Sequence, residues 1–353
     1  MDHLIRPEWF EPLHTLVLLL IGAAAIFLLI KGADRLVAGA SGFAYRVGMS
    51  KVIVGATIVA LGTTSPEVAV SVMSAWKGES GLALGNAVGS IICDTGLIFG
   101  LGCVLTVLPA DRFVLQRQGW VQLGAGLLLA TICYGIWWFS PDAVVLGRSV
   151  GLLFLALLAG YLWISIRWSQ EHREGEPFQI DDDQAVQKKV HEPIVKLFVW
   201  MVIGLVLVLL CSHILIICVQ IVAERWHVPK VVIASTIVAL GTSLPELVVG
   251  MTAVVKGHKE ILVGNVIGAD ILNVLFVVGA SAAAAPLPLR DPIAANPNIF
   301  LVLPLPTMLI ILVLFRVFIF HSVGKGRFAR WMGIPLLAIY VAFAAVTVWV
   351  SLQ

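Results

Sequence analysis

The sequence predicts an all-α membrane protein of ten transmembrane helices, built as two inverted five-helix repeats with the second and seventh helices broken. Three observations predict it. Of 353 residues, 59% are hydrophobic and 12% charged, against about a quarter charged in an ordinary soluble domain. The chain divides into ten apolar stretches, each near the roughly 20 residues that a bilayer-spanning helix requires. A passage from Thr57 to Gly100, TIVALGTTSPEVAVSVMSAWKGESGLALGNAVGSIICDTGLIFG, returns without a gap from Thr236 to Gly279 as TIVALGTSLPELVVGMTAVVKGHKEILVGNVIGADILNVLFVVG.

The expected spans are 12–36, 52–76, 80–107, 118–139, 144–166, 194–222, 230–255, 259–284, 297–320 and 330–351. The N-terminal residues carry acids and no small-residue cleavage site, so the first span is expected to stay in place. It is rich in Gly and Ala, which let membrane helices approach closely, and it corresponds faintly to the sixth. Spans two and three hold the first copy of the repeated passage. Spans four and five are aromatic and aliphatic, with Trp120, Trp137, Trp138 and Trp163 near their ends where the bilayer interface favours them, and read as scaffold. The charged stretch 167–193 separates the halves and gives the division 1–166, 167–193 and 194–353. Within it Asp181, Asp182 and Asp183 read as solvated linker, since no spaced calcium-loop pattern surrounds them. Spans seven and eight hold the second copy, and a proline-rich loop precedes span nine.

Most Lys and Arg, among them Arg112, Arg117, Lys188, Lys189, Lys256, Lys325 and Arg327, fall in loops after odd-numbered spans, which places those loops in the cytoplasm and both termini outside. Five spans per half is an odd number, so the second repeat enters the membrane from the opposite side. Inverted repeats of this kind carry substrate sites near the midplane, at their interface.

The net charge of +2 and the absence of a basic face with interleaved aromatics argue against nucleic acid as a partner. The lipid bilayer and inorganic cations are the partners expected. Cys93, Cys103, Cys133, Cys211 and Cys218 all fall in spans without paired spacing, which supports neither a disulfide framework nor zinc, and no cofactor is expected. His213 reads as a packed histidine, and Asp34 as lying near the cytoplasmic interface. No HExxH, GxSxG or GxGD arrangement supports an intramembrane enzyme. A passive channel is the remaining rival.

What demands explanation is a carboxylate beside a proline inside each apolar copy. Pro66 and Pro245 remove a backbone donor and disfavour helix at the residue before, freeing carbonyls near Ala60–Thr63 and Ala239–Thr242, next to the hydroxyls of Thr242 and Ser243. Glu67 and Glu246 follow at once. Such acids are costly in lipid and mark ion paths. Ser90 and Asp94, four apart, share a helical face; the matching face of the second copy shows Ala269 and Asn273, with Asp270 one step round as a further candidate. The expected cluster is Glu67, Glu246 and Asp94 with Asn273 as a neutral oxygen donor, an oxygen-rich set that suits hard cations. GNAVG at Gly85–Gly89 and GNVIG at Gly264–Gly268 are close-packing patterns.

At GTTSPE, GNAVGSIICD, GTSLPE and GNVIGADILN, and over nearly its whole length, the chain resembles the cation/calcium exchanger superfamily, in particular prokaryotic sodium/calcium exchanger-like proteins with two alpha repeats. The resemblance implies a ten-helix antiporter in the cell's inner membrane that moves Ca2+ against Na+, with spans one and six sliding across the ion sites. It implies that Glu67 and Glu246 bind calcium centrally, flanked by Thr63, Thr64, Ser90, Thr242 and Ser243 and by carbonyls at Ala60 and Ala239. The G-T-[TS]-x-P-E reading favours sodium over proton coupling, with a calcium/proton, other divalent-cation or potassium-dependent exchanger as the alternatives. The chain departs from the family pattern at Asp94, where Asn is usual, at Asn273, where Asp is common, and at Ala269 and Asp270, where a Ser-Asn pair is expected.

Overall fold

The computed structural model describes residues 7–139, 144–175, 192–226, 239–290 and 297–351. Twelve helical segments follow one another: α1 Thr15–Val47, α2 Lys51–Thr63, α3 Ser65–Trp76, α4 Ser80–Leu105, α5 Arg112–Phe139, α6 Arg148–Gly175, α7 Ile194–Arg225, α8 Ala239–Thr242, α9 Leu244–Val255, α10 Lys259–Ala284, α11 Ile299–Val323 and α12 Gly333–Ser351. Among the described residues eight helices are long and apolar enough to cross a membrane, or nine when α2 and α3, bent by 43° at Thr64, count as one span. The seventh expected span is described only from residue 239. Asp181, Asp182 and Asp183 lie outside the described residues.

Two helices run further than their apolar stretches. α1 continues eleven residues past the expected end at 36, to Val47, because its small residues go on packing against α7. A Cβ on Gly39 would stand 2.7 Å from Met201 Cγ, and one on Gly204 would stand 2.5 Å from the Leu36 nitrogen. Glycine at these positions lets the two backbones touch, as close-packed membrane helices require. α6 continues to Gly175, into residues expected as linker.

α10 is the most enclosed element, with every residue from Ile261 to Leu272 buried. It packs against α2, α3, α4, α5, α6 and α9. The second GxxxG pattern explains its contact with α2, since a Cβ on Gly264 would meet the Val52 carbonyl oxygen at 2.0 Å, and one on Gly268 the Ala56 carbonyl oxygen at 2.2 Å.

The all-helical plan has one small addition. β1 Leu108–Pro109 pairs antiparallel with β4 Arg327–Phe328, and β2 Val145–Leu146 with β3 Leu287–Pro288. Leu108 and Leu287 are equivalent residues of the two halves, so each half ends its repeated passage by adding a two-residue strand to a loop of the other. Helical geometry also loosens at three places, into π-helical turns at Gly55–Val59, Cys93–Phe99 and Asn273–Val278. Such turns widen the backbone spiral and are frequent at functional sites.

Candidate cation site

The first break follows from Pro66. It has no N–H to give the Gly62 carbonyl, and the hydroxyl of Ser65 donates to that oxygen instead, at 2.7 Å. The Ala60 carbonyl accepts the Thr64 N–H at 2.9 Å and has the Thr63 hydroxyl 3.4 Å away. The break therefore frees fewer carbonyls than proline alone suggests, because neighbouring donors close over them. In the second half Leu244 stands where Ser65 does and brings no hydroxyl to the Gly241 carbonyl. Ala239, whose carbonyl was expected to contribute, begins the described part of that segment.

Glu67 and Glu246 lie in the first turns of α3 and α9, each 1% exposed. The residues around them are tied across the two halves in reciprocal fashion. The Thr63 hydroxyl lies 3.3 Å from Asn265 Oδ1, and the equivalent Thr242 hydroxyl donates to the equivalent Asn86 Oδ1 at 3.1 Å. Asp94 and its equivalent Asn273 meet each other, the amide nitrogen 3.5 Å from Asp94 Oδ2. Both stand at the start of the matching π-helical turns.

Elsewhere the halves differ. Ser243 donates to Ser90 at 3.2 Å. The mirror partner of Thr64 would be Ala269, which has no hydroxyl, and Thr64 instead reaches Glu246 Oε1 at 3.4 Å. Asn86 donates from Nδ2 to Ser71 Oγ at 2.9 Å and to the Glu67 carbonyl at 3.3 Å. Gly250 replaces Ser71 in the second half, and Asn265 Nδ2 is without a partner among the described residues.

The structure thus brings together Glu67, Glu246, Asp94, Asn273, Thr63, Thr64, Ser90, Thr242 and Ser243. The carboxylates of Glu67, Glu246 and Asp94 oppose one another electrostatically. Among the described residues, both oxygens of Glu67, Glu246 Oε2, Asp94 Oδ1 and Asn273 Oδ1 are buried without a hydrogen-bond partner. Carboxylates left charged and unpaired in the interior cost several kcal/mol each, so such a set calls for a cation or for protons to offset it. Among the described residues no three Asp, Glu, His or Cys side chains converge tightly enough to hold a metal ion by themselves. A cation here would be completed by hydroxyl, amide and backbone oxygens, as hard cations accept.

Asp270 lies apart from this set. Its Oδ2 accepts from the Thr95 hydroxyl at 2.5 Å and from Gln122 Nε2 at 2.6 Å, the latter on α5. Sequence reasoning took α5 for scaffold and missed Gln122; it also read Asn86 and Asn265 only as the interiors of packing motifs. The signal available was their polarity within apolar spans. Asp34 pairs with Lys256 at 3.2 Å, joining α1 to the turn after α9. His213 is half-buried on α7, and the five cysteines are buried.

Comparison with known proteins agrees with this architecture. The family model described as sodium/calcium exchanger protein matches twice, over residues 17–167 and 196–349. The chain is 32% identical to CaxA of Alkalimonas amylolytica over 261 residues, covering 74% of this chain and 79% of that one. It is 28% identical to the sodium/calcium exchanger MaX1 of Methanosarcina acetivorans over 359 residues, covering 95% and 98%. A solved structure of the sodium-calcium exchanger NCX_Mj superposes with a TM-score of 0.76 at 26% identity, covering 94% of this chain and 99% of that one. With two family matches, one in each half, and the paired acid-bearing breaks between them, the chain belongs to the sodium/calcium exchanger family of membrane transporters.

Proposed function

We propose that the protein is a secondary-active antiporter of the plasma membrane, not an enzyme, that exchanges Na+ for Ca2+ by alternating access. The observation that carries the reading is the pair of buried glutamates, Glu67 and Glu246, at equivalent helix breaks, with three of their four carboxylate oxygens left without a partner among the described residues. Calcium sits between them in this reading. Asp94 and Asn273 complete its shell, and Thr63, Thr64, Ser90, Thr242 and Ser243, with the carbonyls of Ala60 and Ala239, form flanking sites for the smaller charge. Two glutamates neutralise one calcium ion, and Asp94 holds the charge of a monovalent ion.

Ten spans in two inverted five-helix repeats, 1–166 and 194–353 around the cytoplasmic stretch 167–193, with both termini outside, is the architecture that goes with it. The reciprocal Thr63–Asn265 and Thr242–Asn86 contacts support it, as do the two reciprocal strand pairs. Each relates one half to the other by the same exchange of partners. The glycine-lined seam of α1 and α7, which lets the two helices slide as a unit, is the element that would alternate access.

The test is calcium uptake into proteoliposomes holding the purified protein. An outward sodium gradient should drive uptake, and removing sodium from both sides should stop it. Uptake driven equally by a pH gradient alone would replace sodium by protons. Calcium flux that persists with no opposing ion would make the protein a channel.

A further inference from the structure

Among the described residues Arg316 of α11 is the only lysine or arginine that is buried, at 4% exposure, and it lies far from the cation set. Its Nη1 donates to the Leu115 carbonyl of α5 at 3.1 Å. Gly119, one turn further along α5, leaves room for it, since a Cβ there would stand 2.8 Å from Nη1. The rings of Trp120 and Phe320 make a corner around the guanidinium, their centroids 4.1 and 4.3 Å from Cζ. Both rings are 55% exposed, so they stand on the lipid-facing surface and the guanidinium lies just behind it.

Nε and Nη2 have no partner among the described residues. Side by side on one edge, they form the fork that matches two oxygens of a carboxylate or a phosphate. No carboxylate is at hand to take it. α5, α11 and α12 contain no acid at all. α4, which also packs on α11, has only Asp94, which meets Asn273. At the start of α5, Asp111 accepts the Val114 N–H and Glu171 pairs with Arg117. A guanidinium stays charged, and a buried charge without a counter-charge costs several kcal/mol. Aromatic faces offset only part of that.

The depth of the group indicates where the counter-charge comes from. α5 is 28 residues long, about 42 Å, which matches a bilayer with its headgroups. Leu115 stands three residues, about 5 Å, from the start of α5, where headgroups give way to hydrocarbon. Phospholipid phosphates lie at that level. The pairing of β1 with β4 brings exposed Arg112, Lys325 and Arg327 to the same end of α5 and α11, and the bias of Lys and Arg assigns this end to the cytoplasm. Basic pockets between helices on that side suit anionic headgroups.

We propose that the seam of α5 and α11 is a binding site for one anionic phospholipid, its phosphate oxygens on the Nε–Nη2 edge of Arg316. Trp120 and Phe320 turn aside to admit the phosphate and then line the upper part of the acyl chains. Arg112, Lys325 and Arg327 face the headgroup. The site is separate from the ion path, and the inference does not depend on which ions are exchanged.

The test uses the full chain in phosphatidylcholine vesicles with a trace of spin-labelled phosphatidylglycerol or spin-labelled phosphatidylcholine, and reads by electron paramagnetic resonance how much of each is held at the protein. Wild type should hold phosphatidylglycerol about 5-fold more strongly, the weight of one well-placed basic side chain. Arg316→Gln should bring the two lipids close to parity, while Arg327→Gln, which removes only an exposed charge, should keep most of the preference. Parity in the wild type, or an undiminished preference in Arg316→Gln, would overturn the proposal. If Arg316→Gln fails to fold, Arg316→Lys keeps the charge and loses the fork, and a preference equal to that of wild type would be as damaging. In detergent, phosphatidylglycerol should raise the melting temperature of the purified protein and inorganic phosphate should not; an equal rise with inorganic phosphate would make this a soluble-anion site and defeat the lipid assignment.

Discussion

The two halves share a frame and differ in their serines. Thr63 and Thr242, Asn86 and Asn265, Glu67 and Glu246 occupy equivalent places, and the threonine-to-asparagine contact is made twice. Yet Ser65, Ser71 and Ser90 of the first half face Leu244, Gly250 and Ala269 in the second. Each of these serines makes a hydrogen bond that its counterpart cannot: to the Gly62 carbonyl, to Asn86 and the Ala83 carbonyl, and with Ser243. The first half is therefore braced by Ser65 and Ser71 within itself and by Ser90 across the interface, and the second leaves groups such as Asn265 Nδ2 without a partner among the described residues. A duplicated scaffold fixes where the acids stand; single hydroxyls decide how firmly each copy is held.

The most severe way to break the equivalence is at the glutamates. Removing one charge from a buried, mutually dependent set costs about 3–5 kcal/mol, so Glu67→Gln and Glu246→Gln should each lower calcium affinity by at least ~100-fold and abolish uptake. Calcium titration of the two purified variants checks this. If one variant retains wild-type affinity, a single glutamate carries the ion and the pairing of the halves is structural only.

Asp94 and Asn273 give the next largest effect. They face each other, so the carboxylate belongs to the pair more than to either half. Asp94→Asn alone should weaken calcium binding about 10-fold or more, near 1.4 kcal/mol, and alter its dependence on sodium. The double variant Asp94→Asn with Asn273→Asp moves the charge across the interface and should recover most of the loss. Recovery measures how interchangeable the halves are, and a double variant as weak as the single one shows that the acid is needed on α4.

Much of this comparison is legible in the sequence, for a physical reason. Lipid demands apolar stretches of helix-spanning length, and an ungapped duplication keeps register, so the eight or nine spans among the described residues and the breaks at Pro66 and Pro245 follow from the residues alone. The reach of Gln122 to Asp270 does not, because one glutamine in an apolar helix says nothing of a partner 148 positions away. Nor do the π-helical turns that begin near Asp94 and Asn273, since no residue type encodes that hydrogen-bond register. The length of α1 escapes hydropathy as well: its last eleven residues are held by glycine contacts with α7 and not by lipid. Proline alone would free more carbonyls at the first break than the structure leaves, because the Ser65 hydroxyl closes over the Gly62 carbonyl.

The threonine struts test stability. Thr242→Val leaves Asn86 anchored through Nδ2 to Ser71 and the Glu67 carbonyl, and should cost about 1 kcal/mol, one ordinary hydrogen bond. Thr63→Val leaves buried Asn265 with no partner among the described residues, a penalty of about 1–3 kcal/mol. The melting temperature of the purified protein should therefore fall further for Thr63→Val. Equal losses would mean that the missing serine at Gly250 has no bearing on how the second half is held.

The smallest effect expected is also the one that sharpens the comparison most. Ala269→Ser supplies the hydroxyl that the second half lacks, opposite Thr64, where Ser90 stands opposite Ser243 in the first. Thr64 would then turn from Glu246 to the new hydroxyl, releasing Glu246 Oε1 for the ion, and the flanking site would gain an oxygen. A hydrogen-bonding group of this kind contributes about 0.5–1.5 kcal/mol, so the sodium concentration for half-maximal exchange should fall about 2- to 12-fold. Ser90→Ala should raise it by a similar factor. Matched shifts of opposite sign would show that the two flanking sites are chemically the same and differ by one oxygen. A large loss in Ser90→Ala with no gain in Ala269→Ser would mean that only the first half's flanking site carries sodium.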